Sequence, residues 1–349
     1  MKLSIVRKCH GYRPHFFDED GLWATRGDGL YCSPDLGRSW RHHASIQGGR
    51  SALIARFRVA DRLLHASARQ VVRLGDGGMV AFTGTRQHHL PPGARRFSPM
   101  PAGPVDYRPV RRGVNVDADG RLQVGDYRDN FGEDPGENVR EPVHIRRCMD
   151  PARGVWETLY TFGPGTVRHV HAVIDDPFVP GRSWVCTGDT DEESVISYSD
   201  DGLQTLTPFA AEGQRSRAVD LLFTPTHLIW GVDSPLQQSG VVRKPRDGGA
   251  TEWLQDTPCP VYYGAQNEAG HLFMTTCVEP GPAVTSDRVE VYASTDGVRF
   301  ESVLSRRADP SPQYAQIFVP HGIAPGDHMV VYFRATVRWE NTMVVGRLV

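Results

Sequence analysis

The sequence predicts an all-β protein, a seven-bladed β-propeller whose N-terminal strand completes the last blade. Three observations predict it. A unit of short alternating strand, turn and second strand recurs seven times in the 349 residues. Glycine (36) and proline (26) are abundant and spread through the chain as turn signals, while helix-favouring runs are scarce. Both ends of the chain also read as strands, over residues 2–7 and 342–349.

The seven units are residues 14–26, 70–85, 113–127, 169–189, 217–233, 261–277 and 316–334. Their starts recur every 42 to 57 residues, near the length of a four-stranded blade. The turns are rich in Asp, Asn and Gly, as in Asp18-Glu19-Asp20-Gly21, Asp117-Ala118-Asp119-Gly120 and Asn267-Glu268-Ala269-Gly270. Third and fourth strands follow most hairpins, at 29–33 and 39–45, 142–146 and 155–160, 194–199 and 205–209, and 289–294 and 299–304. The second blade is degenerate, with 87–90, a Pro-Pro-Gly turn and 95–100. The seventh unit is one strand short, and residues 2–7 supply the missing edge, which would leave no unpaired edge there. A six-bladed ring is the alternative. On this reading 1–349 is a single propeller domain.

One segment departs from the pattern. Residues 50–66 carry Leu53, Ile54, Phe57 and Leu64 near helical spacing, with Arg50, Arg58, Asp61 and Arg62 on the other face. A helical insertion is expected there. It either lies on the propeller with its arginines in water or makes peripheral membrane contact through residues 50–65.

Ser33-Pro34-Asp35-Leu36-Gly37-Arg38-Ser39-Trp40 reads Ser-x-Asp-x-Gly-x-x-Trp. In such a turn Ser and Asp bond the backbone amides, Gly takes the strained dihedral and Trp tucks beneath. Looser copies are Ser199-Asp200-Asp201-Gly202-Leu203-Gln204-Thr205 and Ser294-Thr295-Asp296-Gly297-Val298-Arg299-Phe300, each with one residue fewer between Asp and Gly. The motif resembles the Asp-box, or BNR repeat, of sialidases and related carbohydrate-active propellers. The resemblance implies a β-propeller and a sialidase-like glycoside hydrolase. It implies little about the site, because in that family the box lies on a blade edge away from the chemistry.

Composition sets further bounds. A net charge of −2 gives no nucleic-acid footprint. No apolar run has the roughly 18 residues of a membrane span. The N-terminal residues lack the apolar core of a secretory signal, so a cytoplasmic location is expected. The six cysteines have no metal-ligand spacing and sit in apolar runs, as small hydrophobes do.

In a propeller, first-strand starts and second-strand ends share one face, which gathers the candidate residues. Arg112, Arg168 and Arg217 occupy equivalent positions in three consecutive units, and converging guanidiniums suit a carboxylate. Sialidases hold the sugar carboxylate with an arginine triad, and this trio is similar in kind. No Arg-Ile-Pro motif stands near the N-terminus and the family's Tyr–Glu pair is not placed by motif, so a uronic acid fits as well as sialic acid. His169 and His171 alternate onto one side of a strand, with Arg168 and Val170 on the other. Two such histidines serve as acid and base or share a metal. No third ligand follows at motif spacing, so no cofactor is expected, although a divalent metal remains an option. Asp189 or Glu192 would be the general acid of a glycosidase, or members of a calcium site. Tyr127 beside a histidine suits a lyase acting on a uronic acid. Asp126, Asp233 and Tyr262 are substrate-binding candidates, and Tyr262 and Tyr263 could stack on a sugar. The arginines pairing with Asp126, Asp189 and Asp233 as a purely structural ring is the bland alternative. The polar stretch 128–141 is a candidate specificity loop.

The expected function is hydrolysis of an acidic glycan or oligosaccharide. A polysaccharide lyase on the same substrate class and a propeller that binds glycan or protein without catalysis are the alternatives.

Overall fold

Turn chemistry sets the hairpins. Asp18 Oδ1 accepts from the Asp20 amide at 2.9 Å, Asp76 Oδ1 from the Gly78 amide at 2.7 Å, and Asn267 Oδ1 from the His271 amide at 2.9 Å. Such side-chain-closed turns reverse the chain without further packing. The turn tips at Gly75 and Gly120 touch: the Gly75 amide donates to the Gly120 carbonyl at 2.9 Å. A Cβ on Gly120 would lie 2.3 Å from Gly75 Cα, and its φ is +77°. No other residue fits that contact.

The computed structural model describes residues 1–46, 68–84, 86–101, 103, 111–127, 141–310 and 314–349. The helix expected at 50–66 lies outside them, as does the expected specificity loop except for Glu141.

The protein is nearly all β. Five separate four-stranded antiparallel sheets follow one another along the chain. The first holds Arg13–Asp18, Gly21–Arg26, Gly29–Ser33 and Arg41–Ser45, and the second Gln70–Arg73, Met79–Thr83, Arg86–Leu90 and Ser98–Pro99. The third holds Val114–Val116, Leu122–Gly125, Val143–Asp150 and Val155–Phe162. The fourth, which carries the site described below, holds His169–Asp175, Ser183–Gly188, Ile196–Ser199 and Thr207–Ala210. The fifth holds Leu222–Phe223, His227–Gly231, Ser239–Pro245 and Glu252–Thr257.

A nine-stranded sheet contains two more such meanders. One is Val261–Asn267, Leu272–Val278, Arg288–Ser294 and Glu301–Arg307. The other is Ala315–Phe318, His328–Arg334, Thr342–Leu348 and, from the opposite end of the chain, Leu3–His10. Leu3 pairs with Leu348 and His10 with Thr342 in antiparallel register. The N-terminal strand therefore fills the place that the last unit lacks. The ninth strand is the two-residue Ile323–Ala324. The repeated meander is the blade of a β-propeller.

Burial falls from the early strands of a sheet to the last. Every residue of Ser183–Gly188 and of Met79–Thr83 is buried, whereas the fourth strand Val155–Phe162 has none buried. Strands covered on both faces read as continuous apolar runs, as Met79-Val80-Ala81-Phe82 does. Trp184, fully buried, donates its indole N–H to Asp176 Oδ2 at 2.8 Å and meets Phe209 edge to face. All six cysteines are buried free thiols.

The three Ser-x-Asp turns share one bond pattern. Ser33 Oγ accepts from the Gly37 amide at 2.7 Å, Ser199 Oγ from the Leu203 amide at 2.9 Å and Ser294 Oγ from the Gly297 amide at 2.9 Å. Asp35, Asp201 and Asp296 accept the amides of Ser39, Thr205 and Arg299. The Ser39 amide holds the Asp35 carboxylate down at about 2, and the Thr205 hydroxyl together with its amide does the same for Asp201. The missing residue before glycine is absorbed in place: Leu36 and Gly37 have positive φ in the first turn, and Gly202 and Leu203 in the second. Trp40 stacks on Tyr12 at 4.1 Å beside the first turn.

The chain divides into two compact units. One comprises Met1–Arg26, Tyr31–His42 and Val219–Val349, and the other Gly27–Leu30 and His43–Ala218. In the first, the main apolar cluster includes Phe273, Val291, Ile317, Val331, Phe333 and Val344. In the second, one cluster surrounds Val80, Phe82, Leu122 and Val124, and another Val143, Ile145, Val170, Val185 and Leu203. No helix among the described residues is long and apolar enough to cross a membrane.

Candidate functional site

The site belongs to the second unit and grows from one hairpin, His169–Asp175 with Ser183–Gly188. His169 pairs with Gly188 and Val170 with Thr187, but Ala172 pairs with Cys186, so His171 is the extra residue of a β-bulge. A bulge re-aims the side chain it carries. The two imidazoles consequently face each other, Nε2 to Nε2 at 2.9 Å, and each residue is only 2% exposed. Val170 points the other way into the apolar cluster, as alternation requires. The same irregularity recurs in the first unit, where His15 and Tyr262 stand at the shifts Pro14/Phe16 and Val261/Tyr263.

Asp189 follows directly on the second strand, and its carboxylate is the hub. Oδ2 takes Arg168 Nη1 at 2.5 Å and lies 3.4 Å from His169 Nε2. Oδ1 takes Arg217 Nη2 at 3.0 Å and lies 3.3 Å from His171 Nε2. Arg168 precedes the strand rather than lying in it, so it turns toward the histidines although alternation would send it away. The Asp189 carbonyl accepts from Gln214 Nε2 at 2.8 Å and from Arg217 Nη1 at 3.3 Å, which binds the short 3₁₀ turn Gly213–Ser216 to the hairpin end. The loop after Asp189 is closed on itself: Thr187 Oγ1 donates to the Glu193 carbonyl at 2.7 Å and Ser194 Oγ to the Thr190 carbonyl at 2.6 Å. Glu193, buried, accepts the Arg168 amide at 3.2 Å.

Protonation follows from these contacts. His171 Nδ1 sits 3.1 Å from the Ala218 carbonyl. A carbonyl only accepts, so Nδ1 carries the hydrogen and the neutral ring leaves a lone pair on Nε2. Burial pulls the His171 pKa down to about 4, against the opposing pull of Asp189. Burial works against ionising Asp189 too, but its contacts with His169 and His171 hold its carboxyl well below the usual range. The centre is thus a neutral imidazole beside a fixed carboxylate. Tyr127, half-buried, lays its ring on His169 at 4.0 Å and 25°.

The other candidates have partners of their own. Asp126 is fully buried, forms an ion pair with Arg146 and accepts the His144 amide at 3.1 Å, while its carbonyl takes the Val170 amide at 2.9 Å. It joins the third sheet to the fourth. Arg112 is half-buried in the 3₁₀ turn Arg111–Gly113, where a Cβ on Gly113 would lie 3.8 Å from the His171 carbonyl, and Arg168 and Arg217 both reach the Asp189 carboxylate. Glu192 is exposed, and its carboxyl is lowered by hydrogen bonds from its own amide and from Thr190. Tyr262 and Asp233 belong to the first unit. There the Tyr262 hydroxyl donates to Glu279 Oε2 at 2.6 Å, and burial, with Cys277, Asp233 and Glu279 adding to it, pushes the phenol well up. It is a fixed donor.

Sequence reading passed over Gln214, the Ala218 carbonyl and Gly188. Gln214 and Ala218 act through a 3₁₀ turn and a main-chain oxygen, which leave no residue-type signal. A Cβ on Gly188 would stand 3.0 Å from His171 Cε1 and 3.3 Å from Arg217 Cγ.

His169, His171 and Asp189 are the described residues whose types and positions suit a metal: one ligand atom from each lies within 4.8 Å of the others.

No protein-family model matches the chain, and no curated protein matches it in sequence. Solved structures do. YCF48 bound to D1 peptide aligns over 100% of this chain and 96% of its own, at 12% identity and TM-score 0.55. YCF48 from Cyanidioschyzon merolae aligns over 99% of both chains, at 14% identity and TM-score 0.56. The GH74 xyloglucanase from Xanthomonas campestris aligns over 96% of this chain at 15% identity and TM-score 0.59. This chain spans about half of that enzyme, 52%. At such identities the likeness shows the fold, a β-propeller.

Proposed function

We propose that the chain acts on an acidic saccharide at the Asp189 cluster, and that the reaction is elimination at a uronic acid residue. The observation that carries this is the pairing of the cluster's carboxylates. A glycosidase of the usual kind needs a carboxyl that holds its proton near neutral pH, opposite a second carboxylate. Asp189 is ion-paired with both Arg168 and Arg217, and Glu192 is exposed on the loop beyond it. Asp126 is committed to Arg146.

Elimination needs different parts. A base removes the proton on the carbon next to the uronate carboxylate, the C–H electrons form the ring double bond, and the bond to the leaving oxygen breaks. That oxygen receives a proton from an acid. Arg168 and Arg217 supply the positive charge that favours the carboxylate as negative charge develops beside it. Tyr127 is the proton carrier, as phenolate taking the proton from carbon and as phenol returning it to the leaving oxygen, because it stands half-buried over His169 while both imidazoles are buried. Asp189 positions the two arginines and is not itself consumed.

Hydrolysis of the same substrate is the second reading, supported by the Asp-box-like turns and by the xyloglucanase among the similar folds. Uronate oligosaccharides incubated with the protein decide by product mass. Products that sum to the substrate alone, one of them unsaturated, are expected. A sum of substrate plus one water would establish hydrolysis. No turnover, with thermal stabilisation by the acidic sugar that Arg168→Ala removes, would leave a binding propeller; no turnover and no stabilisation would sink the saccharide reading.

A further inference from the structure

We propose that His169 Nε2, His171 Nε2 and the Asp189 carboxylate form a binding site for one divalent transition-metal ion. The distances among the three are those of a coordination polyhedron's edges. An ion about 2.1 Å from each ligand atom spaces neighbouring ligands by about 3.0 Å in an octahedron and about 3.4 Å in a tetrahedron. The nitrogens stand 2.9 Å apart, Asp189 Oδ2 lies 3.4 Å from His169 and Oδ1 lies 3.3 Å from His171, so it is a bidentate carboxylate that meets both edges, and one atom from each residue lies within 4.8 Å of the others.

The partners of these groups prepare them as ligands. The Ala218 carbonyl takes the Nδ1 hydrogen of His171, which leaves the Nε2 lone pair facing Asp189 and His169. Arg168 and Arg217 hold the two carboxylate oxygens in place. Two imidazoles and one carboxylate suit zinc, manganese, iron or cobalt and not calcium or magnesium, which prefer all-oxygen sites. A proton shared between the imidazoles is the competing account of their 2.9 Å approach.

Charge says what such an ion would do. Arg168 and Arg217 share the one carboxylate of Asp189, so among these groups a divalent ion adds to a surplus of positive charge. An anionic ligand removes that surplus, and ion and anion strengthen each other's binding. This coupling rests on the acidic-saccharide reading; the ion site does not. With both Nε2 atoms on the ion, proton transfer stays with Tyr127.

The test uses the full chain, stripped with chelator and exposed to Zn²⁺ or Co²⁺, with metal content measured after gel filtration. One equivalent is expected for the wild type, with affinity at least tenfold weaker in both His169→Ala and His171→Ala and no competition from Mg²⁺. Substoichiometric uptake by the wild type, or uptake by both variants equal to that of the wild type, overturns the site. Should the variants fail to fold, X-ray absorption of the zinc-loaded wild type decides: a shell with two imidazoles is expected, and a shell with none overturns it. Metal uptake without turnover on any uronate would sink the elimination reading alone, and turnover without uptake would sink the ion site alone.

Discussion

His171 owes its place to Gly188. The glycine sits across the hairpin from His169, and a Cβ there would approach His171 Cε1 to 3.0 Å and Arg217 Cγ to 3.3 Å. Gly188→Ala must therefore displace an imidazole that has no slack, since its Nδ1 is tied to Ala218. Overpacking of this kind costs about 1–3 kcal/mol. The expected result is a cooperative unfolding transition at lower temperature, with turnover or metal affinity falling further than stability does. An alanine variant with unchanged activity would mean that the imidazole position does not matter.

Asp189 joins two guanidiniums that would otherwise face each other. Removing one member of a buried ion pair costs about 3–5 kcal/mol, and the carboxylate's 17% side-chain exposure argues for the lower end. Asp189→Ala should destabilise by about 3 kcal/mol in chemical denaturation. Arg168→Ala and Arg217→Ala should each cost less, because the carboxylate keeps its other arginine. Equal losses for all three would mean that the arginines are not sharing one anion.

The strand scaffold was legible in the sequence because hairpin turns carry their own chemistry. Asp18, Asp117 and Asn267 close their turns with short-range bonds, and a repeat of such turns announces a repeat of sheets. The meander shared by the two termini was legible for the same reason, as strands without a partner at each end. The site was legible only in its ingredients. His169, His171, Asp189, Arg168 and Arg217 could be named, but the bulge that turns the imidazoles together is set by register and leaves no mark in residue type. Asp189 did not stand out as a third ligand, because it comes from the opposite strand. Asp126 reads as a substrate contact or as a partner of Arg112, Arg168 or Arg217, and the arginine it pairs with is Arg146, on the neighbouring strand 20 residues on.

Tyr127→Phe keeps the ring on His169 and deletes only the hydroxyl. If Tyr127 moves the proton, kcat falls by about 10²–10⁴-fold while KM and the melting temperature change little. Steady-state kinetics on a uronate oligosaccharide check this. A variant that loses KM and not kcat would place Tyr127 in binding rather than in proton transfer.

His171 makes stability depend on pH. Its folded-state pKa is about 4 against an ordinary 6.5. Above pH 6.5 the ring is neutral in both states and contributes nothing. As pH falls from 6.5 toward 4, the unfolded chain takes up a proton that the folded one refuses, and stability is lost. A displacement of this size is worth roughly 3 kcal/mol at the bottom of the window. Asp189 acts below that window: its depressed pKa stabilises the fold above the unfolded value near pH 4, and the stabilisation decays as pH drops further. Urea unfolding from pH 7.5 to 4.5 should show the first loss, and His171→Gln should flatten it. A wild-type curve without slope between pH 6.5 and 4.5 would contradict the neutral buried ring.

The Ser-x-Asp turns offer a test of strain against burial. Leu36 and Leu203 both hold positive φ, at 55° and 69°, where a side chain is strained by about 1–2 kcal/mol. Glycine relieves that strain at either position. Leu203 is fully buried in the apolar cluster with Val170 and Val185, so Leu203→Gly also gives up about 2–3 kcal/mol of side-chain burial. Leu36 is only half-buried, and there the two terms nearly cancel. Leu203→Gly should therefore lower stability by about 1 kcal/mol or more, and Leu36→Gly should leave it within about 0.5 kcal/mol or raise it. Parallel thermal melts of the two variants compare them directly, and equal destabilisation at both sites would show that the turn geometry, rather than what lies beneath it, sets the cost.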